Sequence, residues 1–254
     1  MSHQMSSGTM LKIELHAHTG DDPVDRISYT TSDLIDRLAD AGYDGLAITL
    51  HDRQLDIRPH LRHAARRGVV LIPGIERTIE RRHVLLLNFS QAVHDVRTFA
   101  DLATLKSREP GGVVVAPHPF FPAGCSLGRR ALDAHASLFD AVERNAMYTA
   151  SLDFNLEAER WAAAHGKPVV GAGDLHRLWQ IGTTWTLVDA ERRPDAICAA
   201  IAAGRVRVET RPLAWREAAR TIASLVIGQL APGLVAAGRR TESEAPAGEA
   251  QLLT

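Results

Sequence analysis

The chain has 254 residues, of which 45% are apolar and 23% charged, and its formal net charge is −1. This composition excludes a disordered or fibrous chain, and the near-zero charge argues against a broad nucleic-acid or membrane-surface footprint. The two cysteines, Cys125 and Cys198, share no CxxC spacing, which speaks against a disulfide scaffold or a thiolate zinc site. Met1–Met10 is small and polar without an apolar core, so residues 1–10 read as a flexible leader rather than a secretory signal, and a cytoplasmic location is expected. A strand pattern at Leu11–Leu15 is followed by a helix over Ser32–Ala41, capped by Thr31 or Ser32 and stopped by Gly42. Gly45–Leu50 is a short apolar strand, Leu55–Arg67 a helix, and Val69–Pro73 and His83–Phe89 are strands. Val96–Ser107 reads as a helix, Gly112–Pro117 as a buried strand, Leu127–Ala136 as a helix and Phe139–Glu143 as a strand. Helix Asp153–His165, strand Pro168–Ala172, helix Pro194–Ala203 and strand Arg205–Glu209 complete the series.

Continuous apolar strands between helices are what a parallel sheet buried on both faces requires. Seven or eight such units predict an α/β fold of the (β/α) barrel type over residues 11–211, a length that one barrel accommodates. No GxGxxG follows the first strand, which weakens a dinucleotide-binding alternative. Residues 212–238 read as a C-terminal helical segment. Its uncharged stretch Thr221–Gly238 is interrupted by Gln229, Pro232 and Gly233, so a helix packed on the barrel or on a second subunit is expected, not a membrane span. Trp215, Ala219, Ile222, Val226 and Leu230 mark its apolar stripe, and an oligomer through this helix is compatible with it. Residues 239–254 read as a disordered tail.

The unusual feature is the number of histidines, 12 in all, and their positions carry more than their number. His16 and His18 follow the first strand as H-A-H, a spacing that points both rings to one face. His51 ends the second strand in ITLHD, Glu76 lies just past the third in IPGIE, and His83 begins the fourth. His118 closes GVVVAPHP, Glu143 ends FDAVE, and Asp174 and His176 end PVVGAGDLH at i, i+2. Strand carboxyl ends converge on one rim of a (β/α) barrel. Six imidazoles and three carboxylates crowded there are costly without cations. Two or three divalent ions satisfy them, and imidazole with carboxylate suits zinc, manganese or iron. His3, His60, His63, His94, His135 and His165 fall on the leader, helices or turns and are expected to be non-ligands.

HAHT (His16–Thr19), ITLHD (Ile48–Asp52), PGIE (Pro73–Glu76), APHP (Ala116–Pro119) and GAGDLH (Gly171–His176) resemble, in order and spacing, the motifs of the PHP family, named for polymerase and histidinol phosphatase. The resemblance covers about Leu11 to Arg211 and implies a distorted (β/α)7 TIM-like barrel with a di- or trinuclear metal centre. Carried over position by position, it implies that His16, His18, Glu76 and Asp174 hold one ion. Glu76 bridges to a second ion held with His83 and His118. His51 and His176 hold a third, with an acid from the loop after HAHT, Asp22 first and Asp21 next to it. Glu143 is implied as a ligand or a group supporting one. The chain departs from the family in a shorter His18–Pro23 loop and in Leu50, where the family has an aspartate before the histidine.

The function this implies is hydrolysis of phosphoester bonds in a small phosphorylated metabolite or nucleotide, through a metal-bound hydroxide. Arg53, Arg77, Arg144 and Arg177 each follow a proposed ligand closely, and at least one is expected to clamp phosphate. The alternatives are an exonuclease acting on short oligonucleotides, a non-catalytic metal-binding protein, and an amidohydrolase. The last is disfavoured because none of the three lysines ends a central strand. No stable nucleic-acid partner and no membrane partner are expected.

Overall fold

Among the described residues, 10–230 of the computed structural model, nine strands and seven α-helices occur. The strands are β1 (Leu11–Glu14), β2 (Gly45–Ile48), β3 (Val70–Ile79), β4 (Arg82–Leu87), β5 (Val113–Ala116), β6 (Ala141–Asn145), β7 (Val169–Ala172), β8 (Thr184–Val188) and β9 (Val206–Thr210). The helices are α1 (Thr31–Asp40), α2 (Leu61–Arg66), α3 (Phe99–Arg108), α4 (Gly128–Ala134), α5 (Asn155–Ala164), α6 (Pro194–Ala202) and α7 (Trp215–Leu230). Residues 1–9 of the expected leader, 231–238 of the expected helical segment and the tail 239–254 lie outside the described residues.

The strands form one sheet in the order β7-β6-β5-β4-β3-β2-β1-β8-β9. The expected all-parallel pairing is corrected. β1–β2, β2–β3, β5–β6 and β6–β7 are parallel, whereas β3–β4, β4–β5, β1–β8 and β8–β9 are antiparallel. Two local features explain the difference. Pro73–Gly74 reads as a stop, yet β3 runs straight through it: Pro73 pairs with Ile48, and a Cβ on Gly74 would lie 2.9 Å from the Ile48 carbonyl oxygen. β3 then reverses in a two-residue turn, Glu80–Arg81, with φ of 47° and 68°. Such turns need positive φ at both positions and are usually signalled by Asn or Gly, so this hairpin carries no composition signal. β8 was not expected either. Its pattern, with Thr184, Thr186 and Val188 buried, carries two threonines on the inner face.

Helix boundaries shift for similar reasons. The cap of α1 is Thr30, whose hydroxyl accepts from Asp33 N at 3.1 Å while the Asp33 carboxylate accepts from Thr30 N at 2.8 Å. The helix expected over Leu55–Arg67 shrinks to a 3₁₀ turn at Arg58–His60 and α2. Pro59 has no N–H to give and clashes with a preceding helical turn, so the α-helix starts after it.

The sheet nearly closes into a barrel where β7 meets β8 and the end of β1. Gly171 N donates to Thr186 Oγ1 at 2.8 Å, and that hydroxyl donates back to the Gly171 carbonyl at 2.7 Å. A Cβ on Gly171 would sit 2.8 Å from the Trp185 carbonyl oxygen and 2.7 Å from Val208 Cγ1. Gly171→Ala is therefore expected to destabilise the chain by about 1–3 kcal/mol. Urea denaturation checks this as a lowered midpoint with an unchanged slope. Just above, Leu175 N donates to the His16 carbonyl and His18 N to the Leu175 carbonyl, both at 3.0 Å. This stitch sets the segment after β7 against the segment after β1. Inside the barrel, Ile13, Ile72, Leu85, Val115, Ala141 and Val170 share one apolar cluster with Ile197 and Ile201 of α6, which plugs the bottom and leaves the opposite rim for chemistry.

The stripe expected on α7 is also corrected. Trp215, Ala219 and Ile222 are exposed, and Ala218 with Thr221 is the buried face. Arg220 lies over the Trp179 ring at 3.9 Å, and the side chains of Val226 and Leu230 lie outside the described ones. No described helix is long and apolar enough to cross a membrane.

Candidate metal centre

The rim is built from the HAH pair outward. The His16 and His18 rings are fully buried. Each Nδ1 is taken by a carboxylate: His16 by Glu143 Oε1 at 3.0 Å and His18 by Asp22 Oδ2 at 2.8 Å. A carboxylate on Nδ1 fixes the proton there and leaves the lone pair on Nε2. Both Nε2 atoms are buried and have no hydrogen-bond partner. They lie 3.3 and 3.4 Å from Glu76 Oε2, and both lie 3.5 Å from Asp174 Oδ1. Neighbouring donors of a tetrahedral site with 2.0–2.1 Å bonds are about 3.3–3.4 Å apart. The residues present therefore fit a divalent ion.

Glu76 is the hub. Its other oxygen, Oε1, lies 2.7 Å from His83 Nδ1 and 3.1 Å from His118 Nε2, and His51 Nε2 lies 3.2 Å from Oε2. Five imidazoles thus converge on one buried carboxylate. His83 reaches it because β4 is antiparallel, so its first residues sit at the rim where parallel strands end. Burial works against the Glu76 charge, but His16, His118 and His83 hold its carboxyl well below the usual range. Burial likewise opposes charge on His16, and Asp174, Glu76 and Glu143 raise it well above an ordinary imidazole. His83 is pushed up to about 10 by Cys125 and Glu76, and His176 to about 9 by Asp174 and Asp25, both against burial.

Glu143 and Asp174 show how the backbone is bent to the task. Glu143 Oε2 accepts from His118 N at 2.6 Å, where His118 has a φ of 28°. Both Glu143 oxygens are thereby engaged with residues that face Glu76. Asp174 also has positive φ, 48°, and receives the Asn145 amide at 3.2 Å. Such conformations cost energy in non-glycine residues and cluster at functional sites. Beneath them Glu14 Oε1 accepts from His16 N and Gly173 N at 3.1 and 2.9 Å, and burial pushes its carboxyl up to about 8.

Asp22 and His176 also sit in this group, joined by a residue the sequence reading did not single out. Asp22 receives His51 Nδ1 at 3.1 Å and His51 N at 3.0 Å. Its Oδ1 accepts from Val24 N and Asp25 N at 2.8 and 2.9 Å, turning the loop back. That turn aims Asp25 at the site, with Oδ2 3.0 Å from His176 Nε2 and 3.7 Å from His51 Nδ1. The signal in the sequence is the Asx-type turn Asp22–Pro23–Val24–Asp25. Asp21 instead accepts from the Thr31 hydroxyl. Leu50 packs in one cluster with Leu34, Ile35 and Leu38 of α1. His63 faces Asp36, His94 accepts from Gln54 N, and His135 and His165 stack on Phe99 and Trp161.

The four arginines are engaged elsewhere. Arg77 is buried, donating to Asp52 Oδ1 and the Val96 carbonyl. Arg144 pairs with Asp153 and Glu159 and lies over the Tyr148 ring. Arg177 donates to the carbonyls of His176 and Ser224, and Arg53 to that of Asp21. None of the four lines the cleft of about 490 Å³ that opens over Glu76, His118 and Asp174.

Residues 153–206, spanning α5 to the start of β9 and including Asp174 and His176, match a family model described as PHP-associated. No curated protein matches the chain. Solved structures of similar fold include a two-domain protein from Bacteroides vulgatus described as containing a predicted PHP-like metal-dependent phosphoesterase. It is 18% identical at a TM-score of 0.60, over 89% of this chain and 72% of that one. PsfC from Pseudomonas syringae is 18% identical at a TM-score of 0.65, over 87% of this chain and 98% of that one. A lesion-specific endonuclease from Pyrococcus furiosus is 15% identical at a TM-score of 0.56, over 79% of this chain and 58% of that one. At these identities the likeness is one of fold.

Proposed function

We propose that this chain, PHP-like in its fold and in its 153–206 segment, is a metal-dependent phosphoesterase acting on a small phosphomonoester. One observation carries the reading: the buried, unpartnered Nε2 atoms of His16 and His18 face the Glu76 and Asp174 carboxylates. Two buried ring nitrogens without hydrogen-bond partners beside two buried carboxylates are costly, and a divalent cation relieves both at once. On this reading His16, His18, Glu76 and Asp174 hold one ion, and Glu76, His83 and His118 a second. His51 and His176 hold a third with Asp25, Asp22 fixing the loop. The donor set suits zinc, manganese or iron.

When bound, such ions supply a nucleophilic water near neutral pH and neutralise charge on the phosphoryl oxygens. The chain's own residues do the rest. Glu143 and Asp22 hold the Nδ1 protons of His16 and His18, keeping both Nε2 atoms free. Asn145 steadies Asp174, and Glu14 ties the backbone of His16 to that of Gly173.

Phosphate release by metal-loaded protein across a phosphomonoester panel tests the proposal. Release from at least one compound, stopped by a chelator, is expected; none from any would overturn it. The endonuclease of similar fold makes nucleic acid the second substrate class to assay. The cleft lining, which among the described residues includes no lysine or arginine, favours a mononucleotide over a labelled single strand in that comparison.

A further inference from the structure

The charge of the cleft lining limits what can be attached to the phosphoryl group. Among the described residues, the lining holds no lysine or arginine, and its Asp25 and Asp52 face His176 and Arg77 respectively. The arginines nearest in sequence to the ligand set are bound to Asp52, to Asp153 and Glu159, or to backbone carbonyls. Metal ions at the Glu76 hub would meet one phosphoryl group. A second anionic group on the same substrate would find no lysine or arginine on these walls to pair with.

Beside the uncharged Thr78, Cys125 and Asn145, the remaining lining is apolar, formed by Val24, Phe121, Ala123 and Met147. Phe121 sits in the turn after β5, where its N–H donates to the His118 carbonyl at 3.1 Å. Its ring stands edge-on to the His118 ring with centroids 6.3 Å apart, and tilted against Phe154 at 5.4 Å. An aromatic surface therefore lies one ring away from a proposed ligand. Val24, also in the lining, is 64% exposed, a large apolar side chain with little of its own to cover it. Pockets of this kind orient a ligand by a few polar groups and bind the rest through apolar contact.

We propose that the site selects substrates bearing a single phosphoryl group on an uncharged apolar or aromatic organic group, with Phe121 as the specificity-determining residue. The proposal rests on the phosphoesterase reading for the phosphoryl end and adds the class of the leaving group. Bisphosphates and phosphorylated carboxylic acids are disfavoured.

Binding of two non-hydrolysable probes to the metal-loaded chain, measured by calorimetry, tests it: phenethylphosphonate and phosphonopropanoate. Phenethylphosphonate is expected to bind at least about tenfold more tightly, the scale of a modest apolar contact. Phe121→Ala should bring the ratio to within about threefold, and Met147→Ala should lower it by a smaller factor. Circular dichroism establishes that the variants fold. Equal or tighter binding of phosphonopropanoate, no binding of either probe, or a ratio indifferent to Phe121 would each overturn the proposal. Turnover of phenethyl phosphate is followed in parallel. Phe121-dependent binding without turnover would overturn the phosphoesterase reading alone, and turnover with a preference for a second anion would overturn this inference alone.

Discussion

Glu76→Gln is expected to abolish phosphate release, by about 10³-fold or more, while the chain stays folded. The reason is the number of groups that share this side chain. His16, His18 and His51 face Oε2 through Nε2, and His83 and His118 face Oε1. A glutamine keeps the shape but removes the negative charge and replaces one oxygen with an NH₂, which cannot ligate a cation. One proposed site loses its donor atom, and both lose the shared negative charge, in one substitution. Loss of metal-based charge stabilisation costs several kcal/mol, and each 1.4 kcal/mol is about a factor of ten in rate. Initial rates with saturating metal, alongside circular dichroism, check this. A variant that keeps a tenth of the activity would mean that Glu76 is not shared between ions.

Glu143→Gln acts through other residues. One Glu143 oxygen accepts from His16 Nδ1–H and the other from His118 N–H. A glutamine offers one oxygen and one NH₂, so one of these N–H groups must face another donor. If the NH₂ faces the backbone of His118, that residue loses the bond that holds its positive φ. If it faces His16, the imidazole switches tautomer and puts its proton on Nε2, the atom turned to Glu76 and Asp174. Either way a ligand is misplaced. Metal affinity and kcat/KM are both expected to fall by about 10–100-fold, the usual effect of removing a partner behind a ligand. Titration of metal-free variant protein with zinc or manganese measures the first directly. Unchanged affinity would assign Glu143 a merely structural role.

How much of this was legible in the sequence depended on whether the signal was local. The i, i+2 pairs His16/His18 and Asp174/His176 announce themselves because a strand's side-chain period is two. Their placement at strand ends predicted the convergence seen around Glu76. The strands themselves were mostly legible, since VVVA and LLL runs are buried on both faces. Non-local features were not. The Glu80–Arg81 hairpin has no turn residue to betray it, and its antiparallel return is what carries His83 to the rim. Asp25 reaches the site only because Asp22 folds the loop back. The arginines teach the opposite lesson. Arg77 directly follows Glu76, and Arg144 directly follows Glu143, on strands. Successive strand residues face opposite sides of the sheet, so the rule that pointed to the proposed ligands also turns these two arginines away from the rim. Leu50 obeys it as well, packing behind the strand end that presents His51.

In the proposed metal centre, Glu76 joins two metal sites at the rim of this barrel. Counting ions tests it most directly: protein equilibrated with zinc or manganese, desalted and assayed by elemental mass spectrometry against protein concentration. Two or three ions per chain are predicted; one ion or none per chain would contradict the claim.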